Sequence, residues 1–158
     1  MKLIKTTFAL IAALALSACT DPAYLSGGAG DSPHDPRSPE YFEEAIGDRI
    51  LFEVDQHTLT AEARGILAEQ ARWLMSNGEY SAIIEGHADE QGTREYNLAL
   101  GARRANSVME FLVSQGVAAN RLRTVTYGKE RPIEICSDEA CYSQNRRAVT
   151  VVAAGGTS

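Results

Sequence analysis

Two long segments with helical spacing, each bordered by short β-prone runs, constrain the fold of this chain more than any other feature. Their apolar positions are Ala63, Ile66, Leu67, Ala71 and Leu74 in the first segment, and Leu98, Ala102, Ala105, Met109 and Leu112 in the second. Spacings of three and four residues are typical of helices that bury one face. Thr60 can cap the first helix, which stops at Asn77-Gly78, and Gly116 closes the second. We therefore expect one helix from Thr60 to Asn77 and another from Thr93 to Gln115, with these apolar faces in the core.

The β-prone runs supply the other half of the pattern. They are Ile50–Val54, Ala82–Gly86, Leu122–Tyr127 and Ala148–Val152, with a short helical turn opening the segment 142–147. The order is β-α-β-α-β-(loop)-β. It predicts an α/β fold, a two-layer sandwich with two main helices on one face of a four-stranded mixed sheet.

The N-terminus has the features of an export signal. Lys2 and Lys5 precede the apolar stretch 8–16, which is shorter than the roughly 20 apolar residues of a membrane-spanning helix. Leu16-Ser17-Ala18-Cys19 resembles a bacterial lipobox, so we expect residues 1–18 to be a signal peptide and Cys19 to be lipidated. An ordinary secretory cleavage that leaves Cys19 as a thiol is the alternative. Thr20 occupies the position where an Asp usually retains lipoproteins in the inner membrane, which favours a lipid anchor in the outer membrane, facing the periplasm.

Composition divides the rest of the chain. Residues 19–39 are rich in Gly and Pro and predict a flexible tether, 40–152 predict one globular domain, and 153–158 predict a disordered tail. The formal net charge of −6 becomes −8 without the signal peptide, which argues against nucleic acid as a partner. Cys136 and Cys141 lie in an exported segment and favour a disulfide, although two thiols also suggest a weaker zinc alternative.

The segment 86–108 carries the most specific signal. It contains Gly86-His87-Ala88-Asp89, Tyr96-Asn97 followed by Leu100, and Arg103-Arg104-Ala105-Asn106. This block resembles the OmpA-like peptidoglycan-binding domain family, and the stretch from Tyr41 to Val152 is similar to that family throughout. Phe52–Asp55, Tyr127–Pro132 and Asn145–Ala148 resemble three further stretches of it.

The spacing within this block indicates a polar cleft. Asn97 and Arg104 are seven residues apart, so they lie within about 20° of each other on a helix and about 100–120° from the predicted core stripe. With Asp89 at a strand end, they would present a fixed anion and a fixed cation to a zwitterionic ligand. Since neither charge fills the predicted core, replacing Asp89 or Arg104 should affect binding and leave stability nearly unchanged. The alternative is that Asp89 caps the helix and Arg104 makes a surface ion pair.

The resemblance implies what the ligand and its site are. It implies non-covalent binding of peptidoglycan through the diaminopimelate of the stem peptide, with Asp89 on the ammonium and Arg104 on the carboxylate. Asp55, Asn97 and Leu100 would surround them. It also implies a role in cell division and envelope integrity within the Tol system, with TolB as a partner. A wall-binding lipoprotein that serves another envelope complex is the alternative.

An enzyme is the rival interpretation of the same strand. Glu85, His87 and Asp89 alternate on one strand face, where they could ligate zinc or act in acid–base catalysis. No second His lies near them in the sequence, and no nucleophile set or phosphate loop is visible. We therefore expect no enzymatic activity, no catalytic residues, no metal and no cofactor, and we expect His87 to hydrogen-bond within the fold.

Overall fold

The predicted alternation of helices and strands is present in the structure. The computed structural model describes residues 35–135 and 137–155. Its elements are α1 (Pro39–Tyr41), a π-helical turn (Phe42–Gly47), β1 (Arg49–Leu51), α2 (Ala61–Ser76), β2 (Tyr80–His87), α3 (Arg94–Ser114), a 3-10 turn (Ala119–Arg121), β3 (Leu122–Gly128), α4 (Glu139–Asn145) and β4 (Arg147–Ala154). The predicted signal peptide, Cys19 and most of the predicted tether lie outside the described residues.

The sheet has four strands in the order β1-β4-β2-β3. β2 and β3 are parallel, whereas β4 is antiparallel to both β1 and β2. This confirms the two-layer α/β fold with a mixed sheet. Because β1, β2 and β3 run in the same direction, their carboxyl ends and the start of β4 share one edge of the sheet, which we call the loop edge.

Side-chain caps define the helix ends. The hydroxyls of Thr60 and Thr93 accept hydrogen bonds from backbone N–H groups in the first turns of α2 and α3, at 3.1 and 3.2 Å. At the end of α2 the Asn77 amide donates to the Trp73 carbonyl at 2.8 Å. The sequence therefore located both main helices to within about one residue.

The core lies between the helices and one face of the sheet. It contains Leu67 and Leu74 from α2, Ile84 from β2, and Val108 and Leu112 from α3. No helix within 35–135 and 137–155 has the length and apolar character needed to span a membrane.

The predicted orientation of α3 is wrong by part of a turn. Ala105 and Leu112 are buried as expected, but Leu98, Ala102 and Met109 are only half-buried. The buried positions are instead Asn97, Leu100, Gly101, Arg104, Ala105, Val108 and Leu112. The physical reason is a close approach of α3 to β2: a Cβ on Gly86 would lie 1.8 Å from the Gly101 carbonyl oxygen. This contact turns the polar positions of α3 inward, beneath the loop edge.

The described ends of the chain lie away from the loop edge. Trp73, near the end of α2, donates its indole N–H to the Pro36 carbonyl at 2.7 Å, so packed structure begins four residues before the predicted domain start at 40. β4 continues to Ala154, and the Gly155 N–H donates to the Glu79 carbonyl at 2.6 Å. The tail predicted from residue 153 is therefore ordered through 155, and residues 156–158 lie outside the described chain.

Candidate functional site

Asp89 stands at the centre of the loop edge, two residues after the end of β2. The strand is extended past its last residue by a hydrogen bond from the Ala88 N–H to the Gly128 carbonyl at 2.8 Å. The Asp89 carboxylate accepts from the Gln91 N–H at 3.1 Å and from the Arg146 guanidinium at 3.3 Å. Its side chain is 11% exposed. Thr93, not Asp89, caps α3, so the interpretation of Asp89 as the helix cap is wrong.

Asn97 braces the turn that holds Asp89. It is buried in the first turns of α3, and its amide donates to the Gln91 carbonyl at 2.7 Å. Gln91 is therefore held from both sides, because its N–H donates to Asp89 and its carbonyl accepts from Asn97. Asn97 thus supports the Asp89 carboxylate from within the fold. The spacing had instead predicted Asn97 about 100–120° from the core stripe.

Arg104 is fully buried. This corrects two predictions, that Arg104 lies about 100–120° from the core stripe and that replacing it leaves stability nearly unchanged. It has no exposed surface and forms no ion pair with any residue in 35–135 or 137–155, so the alternative of a surface ion pair is also wrong. Its guanidinium donates to the carbonyls of Gln56, His87 and Glu53 at 2.8, 2.8 and 3.2 Å. Burial lowers the pKa of Arg104 to about 10, although nearby Asp89 acts to raise it, so the group stays charged at neutral pH.

The segment 53–56 forms the wall next to Arg104. Two of its carbonyls are held by that guanidinium, and Asp55 between them adopts a positive φ of 60°, which is uncommon for a residue other than glycine. The Asp55 carboxylate also accepts a hydrogen bond from the Tyr96 hydroxyl on α3. Asp55 is exposed and Leu100 is buried one turn before Arg104 on α3. The structure therefore brings all five sequence-predicted site residues to the loop edge.

Arg146 is a site residue that no sequence pattern predicted. It lies between α4 and β4, is 4% exposed, and reaches the Asp89 carboxylate, the Phe52 carbonyl and both oxygens of Glu139. The Phe52 N–H donates to the Arg146 carbonyl at 2.8 Å, so its backbone is also fixed. The strand order could have revealed this residue. β4 is antiparallel to β2, so a residue that immediately precedes β4 lies beside the carboxyl end of β2.

Glu139 completes this ion-pair network. It lies in the first turn of α4, which begins where the Asp138 carboxylate accepts from the Cys141 N–H at 3.2 Å. The Glu139 side chain is 65% exposed, and its hydrogen bond with Arg146 lowers its pKa. Burial acts to lower the pKa of Arg146, but its bonds to Glu139 and Asp89 outweigh burial and raise it. The network therefore joins two acidic side chains to one guanidinium.

Among the described residues, neither ring nitrogen of the buried His87 has a hydrogen-bond partner, so the prediction that this side chain hydrogen-bonds within the fold is wrong. Its ring lies 5.5 Å from the ring of Tyr127, and Nε2 is 3.5 Å from the Glu85 carboxylate. Burial, with the charges of Arg147 and Arg131, lowers the pKa of His87 to about 4. The described residues contain no group of three His, Cys, Asp or Glu side chains arranged to hold a metal ion.

The chemistry of the loop edge is that of a fixed polar binding surface. Arg146 and Glu139 also line a neighbouring cleft of about 500 Å³ between β1, α2 and α4, whose lining includes none of the five predicted site residues. Lys129 donates to the carbonyls of Glu90 and Gly92, which ties the Asp89 turn to the segment after β3. Buried guanidinium groups beside an ordered carboxylate suit a ligand that carries both an ammonium and a carboxylate.

Cys141 lies in α4 and is disulfide-bonded. Cys136, its predicted partner, lies outside the described residues. The pairing of Cys136 with Cys141 therefore stays a prediction.

Residues 51–147 match the OmpA family. The chain is 49% identical over 154 residues to the peptidoglycan-associated lipoprotein of Mesorhizobium japonicum, covering 94% of this chain and 92% of that protein. It is 48% identical over 153 residues to the peptidoglycan-associated lipoprotein of Brucella melitensis, with 94% and 91% covered.

Solved structures show the same fold. The crystal structure of the peptidoglycan-associated lipoprotein from Burkholderia pseudomallei superposes with a TM-score of 0.68 at 36% identity, covering 77% of this chain and 98% of that one. The C-terminal domain of Helicobacter pylori MotB superposes with a TM-score of 0.63, covering 67% and 84%, and at 21% identity it shows similarity of fold alone.

Proposed function

Because this chain belongs to the OmpA family and, within it, to the peptidoglycan-associated lipoproteins, we propose that it binds peptidoglycan non-covalently and links the outer membrane to the cell wall. The observation that carries the proposal is the Asp89 carboxylate, which is ordered by Gln91, accepts a hydrogen bond from the buried Arg146 and lies near enough to the buried Arg104 to interact with its charge. This arrangement supports recognition of a charged peptide without a chemical reaction.

The diaminopimelate of the stem peptide is the ligand that we propose for this edge. Its ammonium and carboxylate share one carbon, so a carboxylate and a guanidinium close together can hold both groups. Asp89 takes the ammonium and Arg104 the carboxylate, with Asp55, Asn97 and Leu100 around them. Arg104 uses three N–H groups on backbone carbonyls and has two left. Since it has no exposed surface, the carboxylate reaches these groups only after the segment 53–56 shifts.

The membrane attachment that we propose is lipid on Cys19, followed by the tether 19–39. Acyl chains on one residue anchor a protein because each buried methylene contributes about 0.8 kcal/mol. Replacing Cys19 by Ala should leave the domain folded and remove it from the outer-membrane fraction. Continued fractionation of Cys19→Ala with outer membranes after digestion of the wall would contradict the anchor.

The cellular setting that we propose is the Tol system, with TolB as partner, in cell division and envelope integrity. The overall relationship to peptidoglycan-associated lipoproteins supports this setting, since those relatives match along 94% of the chain. A wall-binding lipoprotein that serves another envelope complex has the same fold and the same pocket. Co-purification with TolB from cross-linked cells separates the two, because only the first should recover TolB.

The binding proposal is tested by sedimentation with purified peptidoglycan. Asp89→Asn keeps the shape of the side chain and removes its charge, so it should abolish sedimentation while the protein remains folded. Glu69→Gln is the matched control, because Glu69 is an exposed carboxylate of α2 that also pairs with an arginine. Normal sedimentation of Asp89→Asn would overturn the pocket, and release of soluble muropeptides by the wild type would overturn binding without reaction.

A further inference from the structure

The two carboxylates that share Arg146 differ in their surroundings. Asp89 is nearly buried and faces the proposed ligand, whereas Glu139 is 65% exposed at the start of α4. The guanidinium donates once to Asp89, at 3.3 Å, and contacts both oxygens of Glu139. Arg146 is therefore directed mainly toward the outer carboxylate and only partly toward the inner one.

We infer that Glu139 is a positioning residue for ligand binding: it holds Arg146 away from a two-pronged pair with Asp89 and so leaves Asp89 free to accept a ligand ammonium. This inference rests on the proposed function, in which Asp89 receives the ammonium of the stem peptide. It assigns to α4 a role in recognition that acts through Arg146.

The hydrogen-bond acceptor positions of Asp89 explain why Glu139 should matter for ligand binding. An ionised carboxylate offers about four positions for donors. In the structure the Gln91 N–H and one N–H of Arg146 occupy two of the positions on Asp89, which leaves two for an ammonium. Without Glu139, both terminal nitrogens of Arg146 are free to turn toward Asp89. Two parallel hydrogen bonds are the favoured geometry of a guanidinium with a carboxylate. That pair would take a third position and cancel the charge that attracts the ligand.

The other contacts of Arg146 allow only its two terminal nitrogens to change partners when Glu139 is lost. Its Nε donates to the Phe52 carbonyl at 3.2 Å, and its own carbonyl accepts from the Phe52 N–H. The base of the side chain is therefore fixed, and the two terminal nitrogens alone remain to be divided between Asp89 and Glu139. The charge of Glu139 also keeps the network at one net negative charge, which favours a cationic ligand group.

The experiment is an NMR titration of the full domain with a soluble muropeptide that ends in diaminopimelate, in the wild type, Glu139→Gln and Asp89→Asn. Glu139→Gln should weaken binding about two- to fivefold, the range of an exposed ion pair. Before the muropeptide is added, the side-chain carboxyl signal of Asp89 should shift in Glu139→Gln, because Arg146 turns toward Asp89 when its outer partner is lost. Glu69→Gln, the matched exposed glutamate, should bind as the wild type.

Two outcomes overturn the inference. Unchanged or tighter binding by Glu139→Gln means that Arg146 does not compete with the ligand for Asp89. A loss of binding in Glu139→Gln without a shift of the Asp89 carboxyl signal means that Glu139 acts independently of Asp89, either on the ligand or on the structure of α4. These results are distinguishable from failure of the proposed function, in which Asp89→Asn alone would bind the muropeptide normally.

Discussion

Arg104 and Arg146 are buried at the same edge of the sheet, and they are satisfied in opposite ways. Arg104 gives its hydrogen bonds to three backbone carbonyls and to no carboxylate of the described part of the chain, whereas Arg146 contacts two carboxylates and one carbonyl. A guanidinium that satisfies buried carbonyls stabilises the backbone around it. A guanidinium shared between two carboxylates determines how much of their negative charge is available to a ligand. The hydrogen bonds of Arg104 therefore maintain the fold, in addition to its proposed contact with the ligand carboxylate, whereas those of Arg146 adjust the charge that Asp89 presents to a ligand.

The largest expected effect tests the structural half of this comparison. Arg104→Ala removes the guanidinium donor from the carbonyls of Gln56 and His87, at about 1–3 kcal/mol for each unsatisfied group, whereas the Glu53 carbonyl keeps the N–H of Gln56 at 3.1 Å. We expect the free energy of unfolding in urea to fall by about 3–5 kcal/mol. The neighbouring, exposed Arg103→Ala is the control and should change it by less than about 0.5 kcal/mol. Equal effects of the two substitutions would remove the distinction between Arg104 and Arg146.

The second prediction concerns His87, whose carbonyl Arg104 holds and whose ring is buried. Its folded pKa of about 4 lies below the unfolded value of about 6.5, so its contribution to stability is complete above the unfolded pKa. The contribution is lost as the pH falls from about 6.5 toward 4. Between pH 7 and pH 5 this loss amounts to about 2 kcal/mol in the free energy of unfolding.

The test is chemical denaturation at both pH values. In His87→Gln the difference in the free energy of unfolding between pH 7 and pH 5 should be smaller by about 2 kcal/mol. The control is His57→Gln, at an exposed histidine, which should behave as the wild type. An unchanged pH dependence in His87→Gln would show that protonated His87 is stabilised by Glu85, which lies 3.5 Å from Nε2.

The third prediction concerns the disulfide that we expect between Cys136 and Cys141. A loop this short should contribute about 2 kcal/mol by the chain-entropy estimate. Intact-mass analysis of periplasmic protein after alkylation without reductant should show no alkylated thiol at either position. Two modified cysteines would refute the pairing, and reduction should lower the free energy of unfolding by the stated amount.

The smallest expected effect tests the binding half of the comparison. Asp89→Asn removes one weak contact of Arg146, which keeps Glu139 and the Phe52 carbonyl. The free energy of unfolding should therefore change by less than about 1 kcal/mol, although peptidoglycan binding is lost. A loss of stability as large as that of Arg104→Ala would mean that Asp89 also maintains the fold.

The sequence predicted the fold and the position of the site because both depend on local signals. Caps at Thr60 and Thr93 and the alternating periods of strands and helices determine the elements. The rotation of α3 was not predictable, since it depends on the approach of Gly86 to Gly101, two positions that carry no hydrophobic signal. The burial of Arg104 follows from that rotation. The pairing of Arg146 with Asp89 required the strand order, which joins residues 57 apart in the chain.

The placement of the chain ends opposite the loop edge has a mechanical consequence. The described chain enters beside Trp73, and β1 then runs from that side toward the proposed wall contact. β2 spans about 26 Å in the same direction. A pull between the proposed lipid anchor and the proposed wall contact would therefore act along the strands and perpendicular to the hydrogen bonds that join β1 to β4. Such a load shears those bonds together instead of opening them one after another, so this domain has the geometry of a tension-bearing joint.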